Sequence, residues 1–237
     1  MKQIFSVVLV IFLGWLLLTL IPLGQPTEPG PVAEHYLNDG VAENIGANLV
    51  TSVIVNYRGL DTLGEVTVLF LSVTGVGFVL RRSGGNRRSV ERPSSEILRT
   101  GARMLFAPIV VYGAYIFVHG HLSPGGGFQG GAVVASAMLL LLMANRGQTI
   151  PHNLMHWLES MAGFAYVMVG MAGLVVAGSF LSNQGVLPMG TWNKVFSGGV
   201  IPVIYILVGL KVGTELSSLI DTMMDSGRIT EKEGGGH

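Results

Sequence analysis

Six long apolar runs, separated by polar or charged segments, dominate the pattern of residues along this chain. The runs cover residues 4–21, 62–80, 104–118, 131–144, 157–181 and 196–219. A helix built from the first run rises about 27 Å, which is close to the thickness of the hydrocarbon core of a bilayer. The pattern predicts an all-α integral membrane protein with about six transmembrane helices.

The first apolar run has a competing interpretation as a cleaved signal peptide. It follows Lys2, and the segment after it, Pro22–Pro26, contains two prolines. The run is long for the apolar part of a signal peptide, and no small-x-small cleavage site follows it. We therefore expect a retained first helix.

Three shorter segments do not fit the pattern of spans. Residues 27–44 are polar and acidic, which predicts an extramembrane segment. Residues 48–56 are apolar but too short to cross a bilayer as a helix, so an interfacial or re-entrant segment is expected there. Residues 225–237 are charged and glycine-rich, which is typical of a disordered tail.

The composition supports a surface that faces lipid. Of the 237 residues, 49% are hydrophobic and 12% are charged, and this charged share is about half that of a soluble domain. The chain has no cysteine, which excludes thiolate metal sites, disulfides and a cysteine nucleophile. The sequence contains no nucleotide motif, nucleophile elbow or metal-ligand spacing. We expect neither an enzyme nor a bound cofactor or metal.

Basic residues are distributed asymmetrically between the segments that join the apolar runs. Seven arginines lie between residues 81 and 103, and no aromatic residue accompanies them, so nucleic-acid binding is not expected. If the six spans alternate in direction, this stretch and both termini lie on the same side of the membrane. Most basic residues that lie outside the spans are on that side. The positive-inside rule places that side in the cytoplasm. The basic residues on that side are Lys2, Arg81, Arg82, Arg87, Arg88, Arg92, Arg99, Arg103, Arg146, Arg228 and Lys232, against Arg58 and Lys194 on the other.

Two carboxylates near the start of the second span share one helix face. Asp61 and Glu65 are four residues apart, and Arg58 lies one turn before Asp61. Such a pair can bind a cation, or pass a proton if desolvation raises one pKa. They can also be ordinary charges at a helix N-terminus. For Glu65, which lies one turn deeper, the cost of burial favours a functional role.

Two further ionisable groups fall within the last apolar runs. Lys211 and Glu215 are again four residues apart, with apolar neighbours on both sides. A buried salt bridge and a proton-relay lysine are both compatible with this spacing. Glu159 lies just inside the fifth run, one turn from His156, with Arg146 in the same loop, and an interfacial charge with a local partner is favoured there.

A glycine-rich stretch separates the third and fourth apolar runs. Residues 119–131 are HGHLSPGGGFQGG, with five glycines after Pro124. This composition predicts a non-helical loop from Pro124 onward. Its glycines could bring carbonyls to an ion or let a neighbouring helix pack closely. For His119 and His121, both proton transfer and structural capping remain open.

The glycine-rich stretch and the last span carry a family resemblance. HGHLSPGGGFQGG, followed by an apolar helix, resembles the hallmark of the MnhB/MrpB family, the B subunits of Mrp-type multi-subunit Na+/H+ antiporters. IPVIYILVGLKVG in the last apolar run is also similar to that family. The resemblance covers about residues 97–220, and the same module occurs in membrane-bound hydrogenases and related sulfur reductases.

The first part of the chain has a different resemblance. NIGANLVTSVIVNYRGLDTLGEVTVLF is similar to the MbhE-type subunit of membrane-bound hydrogenases. The same segment closes the large A subunit of Mrp antiporters. The chain therefore resembles an E-type module fused to a B-type module. The predicted division is residues 1–80 as a two-helix MbhE-like module, 81–96 as a cytoplasmic arginine-rich linker, 97–224 as a four-helix MnhB/MrpB-like module and 225–237 as a disordered tail.

The resemblance implies a subunit of an antiporter-type complex. It would help neighbouring subunits form a path for Na+ or H+ across the cell inner membrane. The acid of the GLDTLGE motif, which matters for ion transport in the family, corresponds to Glu65 and also implicates Asp61. Alternatives are a membrane-arm subunit of an energy-converting hydrogenase or related respiratory complex, and a purely scaffolding subunit. The residues expected in the ion path are Asp61, Glu65, His121, Lys211 and Glu215.

Overall fold

A computed structural model describes residues 2–20, 28–81, 94–145 and 151–233 of the chain. Within these ranges no residue lies in a β-strand, so the all-α prediction is confirmed. The predicted arginine-rich linker falls mainly on residues 82–93, outside the described residues, as does Arg146. The helices are α1 Lys2–Leu20, α2 Pro31–Asn38, α3 Gly40–Asn44, α4 Leu49–Ser52, a π-helical turn Val53–Tyr57, α5 Gly59–Arg81, α6 Glu96–Val118, α7 Gly127–Ala144, α8 His152–Ala177 and α9 Ile201–Glu233.

The chain divides into two units, residues 1–35 and residues 36–237. Among the described residues, the second unit holds five helices, α5 to α9, that are long and apolar enough to cross a membrane. The first unit holds α1, whose apolar part, Ile4–Thr19, is shorter. The expected number of about six apolar helices is therefore confirmed.

The ends of several helices differ from the predicted ends. The fifth span ends at Ala177 instead of Leu181, because Gly178 takes a left-handed φ of 75° that terminates the helix. The sixth span begins at Ile201 instead of Phe196, since Gly198 and Gly199 have φ angles of 80° and 57°. Both changes are set by glycines in a backbone conformation that helices do not contain.

The last helix continues further than the sequence pattern indicates. The prediction of a disordered tail from residue 225 is wrong for residues 225–233, where α9 continues to Glu233. The preceding span has already nucleated the helix, so each added residue requires only propagation. Residues 234–237 lie outside the described part of the chain.

Helix α9 is the central element of the second unit. It contacts α5, α6, α7 and α8. Its inward face places Ile204, Val208 and Val212 in the main apolar core, with Val66 from α5 and Tyr166 from α8. A helix in the middle of a bundle can carry ionisable side chains away from lipid, which is the setting of the site described below.

Glycines allow α7 to approach two neighbours closely. A Cβ atom on Gly130 would lie 2.6 Å from the carbonyl oxygen of Gly113 in α6. A Cβ atom on Gly131 would lie 2.8 Å from the Cβ atom of Val212 in α9. The predicted loop through residue 131 is therefore wrong at its end, because α7 begins at Gly127 and uses these glycines for packing. The non-helical part of the stretch is residues 119–126.

Candidate ion-path site

A buried ion pair lies in the middle of the central helix. The Nζ atom of Lys211 is 2.5 Å from the Oε1 atom of Glu215, and these side chains are 13% and 0% exposed. The ammonium also lies 5.1 Å from the centre of the Phe70 ring in α5, within the range of a cation–π interaction. On α8, Gly163 lies against Lys211, whose Nζ atom would be in ordinary van der Waals contact, at 3.7 Å, with an added Cβ atom.

The depth of this pair in the span follows from the helix rise. Lys211 lies ten residues after the start of α9 at Ile201, or about 15 Å along the helix axis. Half of the most apolar window of this span, within Ile201–Met224, is buried inside the protein. The pair therefore lies near the middle of the predicted hydrocarbon region and is shielded from lipid by neighbouring helices.

A second carboxylate, on α8, belongs to the same cluster. Glu159 is 8% exposed and interacts electrostatically with Glu215. The Nδ1 atom of His156 lies 3.8 Å from its Oε2 atom, and the His156 side chain is 60% exposed. The expected local partner is present, but the Glu159 carboxylate is directed into the bundle. We call Lys211, Glu215, Glu159 and His156 the buried ionic cluster.

Glu159 was expected to be an interfacial charge, but it lies on the buried face of α8. Met155, Glu159, Ala162 and Tyr166 are all buried. They recur at intervals of three or four residues, which is the period of one helix face. A glutamate within such a face is directed to the protein interior, but apolar residues such as Trp157 and Phe164 also cover other faces of α8, so the sequence alone does not single out this face.

The two carboxylates of α5 lie apart from the buried ionic cluster. Asp61 is exposed and pairs with Arg58, whose Nη2 atom is 2.5 Å from Oδ2. Glu65 is also exposed on the surface of the chain and interacts electrostatically with Tyr166. The Tyr166 hydroxyl donates a hydrogen bond to the carbonyl oxygen of Gly59 at 2.9 Å. Asp61 and Glu65 thus share an outward face, where a partner chain could contact them.

Four asparagines join the segments at one end of the second unit. The amide oxygen of Asn44 accepts hydrogen bonds from Asn56 at 2.7 Å and Asn183 at 3.4 Å. The Asn183 amide oxygen in turn accepts from the backbone N–H of Val200 at 2.8 Å. Asn48 donates to the carbonyl oxygen of Gly120 at 2.9 Å. This asparagine cluster, Asn44, Asn48, Asn56 and Asn183, connects the segment before α5 with the loops that precede α7 and α9.

His121 lies beside the asparagine cluster and is fully buried. Its carbonyl oxygen accepts a hydrogen bond from the backbone N–H of Asn48 at 3.1 Å. Neither ring nitrogen has a hydrogen-bond partner among the described residues. Burial lowers the pKa of the imidazole, partly opposed by the nearby carbonyl groups of Lys194 and Val118. His119 differs, because its ring stacks on Tyr115 with a centroid distance of 4.3 Å.

The structure therefore brings together only part of the predicted site. Lys211 and Glu215 form one pair with Glu159 beside them, whereas Asp61 and Glu65 lie on the outer face of α5. His121 lies in the loop before α7. No group of three or more His, Asp or Glu side chains in the described ranges is arranged to hold a metal ion.

Comparison with protein families identifies the class of protein to which this chain belongs. Residues 97–218, just over half of the chain, match the family described as a domain related to the MnhB subunit of Na+/H+ antiporter. The chain belongs to this family of multi-pass membrane proteins. Residues 2–97 match a second family, MbhE, which is named for a component of MBH.

Two solved structures and one further sequence are similar to most of this chain. An uncharacterized protein of Methanocaldococcus jannaschii is 30% identical over 215 residues, covering 81% of this chain and 80% of the relative. A chain of the membrane-bound sulfane sulfur reductase, an archaeal respiratory membrane complex, matches with a TM-score of 0.80 and 42% identity, over 94% of this chain and 98% of that one. A chain of the Mrp complex from Dietzia matches with a TM-score of 0.73 and 25% identity, over 94% of this chain and only 26% of that one.

Proposed function

We propose that this protein is a membrane subunit of a multi-subunit Mrp-type cation/proton-translocating complex and contributes groups to the translocation path. The observation that carries the proposal is the Lys211–Glu215 pair, buried within a membrane-spanning helix. The family is named for a Na+/H+ antiporter subunit, and one structural relative is part of an Mrp complex. The partners are accordingly other subunits of a hetero-oligomeric complex, and the transported ion is Na+ or H+.

A scaffolding subunit would have no physical need for this pair. Removing two charges from water is costly, and apolar side chains of similar size would give an equally stable or more stable helix contact. Ionisable residues inside membrane spans mark ion pathways and proton relays. The absence of any recognisable catalytic motif in the sequence supports a non-catalytic role within the complex.

A second candidate is a membrane-arm subunit of a respiratory complex. It is favoured by the match to the sulfane sulfur reductase chain, which covers nearly the whole of both chains, whereas the Mrp chain is much longer than this one. The same buried ionic cluster would serve in either complex. Purifying the chain with its native partners and testing for a redox subunit distinguishes the two.

The charge distribution supports an orientation in the membrane. Both termini and the arginine-rich stretch would lie in the cytoplasm, because the cytoplasmic segments of membrane proteins are enriched in lysine and arginine. The asparagine cluster would then lie at the outer end of the bundle. We propose the cell inner membrane as the location.

The decisive experiment replaces the pair as a unit. In the intact complex in inverted vesicles, Lys211→Met together with Glu215→Gln removes both charges and leaves neither one buried alone. We expect assembly to persist on a native gel while Na+-dependent proton movement falls by at least about a hundredfold, the lower end of the loss when a proton-transferring group is removed. If the assembled double variant transports at the wild-type rate, the pair is not part of the translocation path, and the scaffolding role remains.

A further inference from the structure

We propose that Glu159 and His156 form a proton-transfer branch from the Lys211–Glu215 pair to the end of the bundle opposite the asparagine cluster. This inference rests on the proposed function and deepens it, since it names the proton as the species that passes here and the side from which it enters or leaves. Neither residue was expected in the ion path from sequence. The argument depends on burial, spacing and the chemistry of the groups.

The four side chains of the buried ionic cluster follow one another along the bundle. The start of α8, at His152, lies opposite the asparagine cluster, because the end of α8 leads to Asn183. His156 and Glu159 are four and seven residues from that start, or about 6 and 10 Å along the axis. Lys211 and Glu215 lie deeper, on α9. Ionisable groups therefore lead from the middle of the span to its end.

Exposure increases outward from Glu215 along the last three of these groups. The side chains of Glu215, Glu159 and His156 are 0%, 11% and 60% exposed, and Lys211, paired with Glu215, is 13% exposed. The outermost group thus contacts the surroundings of the chain, while the innermost contacts only protein. A branch that serves one side of the membrane has this arrangement, with its outer group accessible and its inner groups enclosed by protein.

The layer next to the branch is apolar. Leu142 of α7 and Met155 of α8 are buried together, with Met138, Ile220 and Met224 packed against them. Water and ions are poorly accommodated by these side chains. Glu159 is therefore the buried carboxylate that connects the deep pair with His156 past this apolar layer.

The chemistry of the cluster suits a proton better than a metal cation. An alkali cation in a protein is held by several oxygen atoms, often carbonyls, whereas this cluster contains an ammonium group that repels cations. The described residues hold no site with three or more His, Asp or Glu side chains suited to a metal. Carboxylates, amines and imidazoles all accept and donate protons.

The transfer balances without any other reactant. A proton leaves the Lys211 ammonium for the Glu215 carboxylate, passes through bridging water to the Glu159 carboxylate and again through water to the His156 imidazole, 3.8 Å away, which releases it to the surface. Each step breaks one N–H or O–H bond and forms one on the next group. The same steps in reverse carry a proton inward, and no oxidation or reduction occurs.

The test uses the complete complex in proteoliposomes, with a pH-sensitive dye inside and a potential imposed across the membrane. We expect Glu159→Gln to lower proton flux by at least about a hundredfold, and Glu159→Asp to restore part of it because the acid is kept. Glu96→Gln is the matched control, since Glu96 is an exposed carboxylate in the first turn of α6. It should retain the wild-type flux.

The outcomes separate this inference from the proposed function. If Glu159→Gln assembles and conducts at the wild-type rate while the Lys211→Met and Glu215→Gln double variant does not, the branch is refuted and the function stands. If both conduct normally, the proposed function fails as well. Should Glu159→Gln fail to assemble, His156→Gln decides, because this exposed side chain is not needed for folding. Reduced flux supports the branch, and unchanged flux overturns it.

Discussion

At the scale of single residues, His121 shows how burial determines the protonation of a side chain. The imidazole lies in the loop before α7, completely buried, with no hydrogen-bond partner on either ring nitrogen among the described residues. Desolvation lowers its pKa, and the nearby His119 adds to this effect. The folded protein therefore keeps the ring neutral at a pH where an unfolded chain would begin to charge it.

This burial predicts an acid-sensitive stability. The folded-state pKa lies below the unfolded value of 6.5, so the unfolded chain binds more protons, and stability falls as the pH drops below about 6.5 until the folded-state pKa is reached. We expect His121→Gln to reduce this acid-induced loss. Thermal unfolding of the solubilised protein above and below pH 6.5, compared between wild type and variant, measures it. Equal pH slopes in the two proteins would contradict the assignment.

At the scale of secondary-structure elements, the contact of α7 with its neighbours depends on residues that have no side chain. Gly130 faces α6 at a point where the nearest atoms include backbone atoms of Gly113 and Phe117. Backbone atoms in a packed helix cannot rotate away as a flexible side chain can. The helix pair can accommodate a larger residue only by separating, which would also disturb the contact of α7 with α9.

A matched pair of glycine substitutions tests this packing. Gly130→Ala is expected to destabilise the protein by about 1–3 kcal/mol, the usual cost of overfilling a packed interior. Gly75→Ala, in α5, places a Cβ atom with no other atom within 4 Å and should be neutral or slightly stabilising. Melting temperatures of both variants in the same detergent provide the comparison. A Gly130→Ala protein as stable as the Gly75→Ala protein would show that α6 and α7 can adjust.

At the scale of the whole molecule, α5 has an outward face that the described residues of the second unit leave uncovered. Only 6% of its most apolar window is buried. That face carries Glu65, a carboxylate within a membrane span, together with the exposed Val68 one turn further on. Since a charge that faces lipid is costly, we expect a partner chain to cover Glu65 in the assembled complex.

Neutralising this carboxylate should affect transport more than assembly. We expect Glu65→Gln to leave the complex intact on a native gel and to abolish most Na+-dependent proton movement in inverted vesicles. Val68→Ala, a change on the same face without loss of charge, is the control and should transport normally. If Glu65→Gln transports normally, the carboxylate is an ordinary charge near the helix N-terminus.

The sequence predicted those contacts of the candidate site that join residues close together in the chain. Lys211 and Glu215 meet because a spacing of four residues brings two side chains to one helix face, and their pairing needs no tertiary information. Glu159 contributes to the same cluster from another helix. Its contact with α9 depends on the rotation of α8 about its axis. The residues next to Glu159 in the sequence do not reveal this rotation. The folded structure shows it, because Met155, Glu159 and Tyr166 are all buried.

The order of residues was sufficient to predict the membrane location, the number and approximate extent of the apolar helices, and the family. The membrane location and the helices depend on local composition, because apolar length and helix period are properties of short segments, whereas the family was indicated by the resemblance of the glycine-rich stretch and the last span. Three features became visible only in the folded chain: Glu159 faces inward, Gly130 and Gly131 lie within a helix, and the Asp61–Glu65 face lies away from Lys211. They depend on contacts between residues far apart in the chain, where the packing of helix against helix selects the rotation and depth of each one.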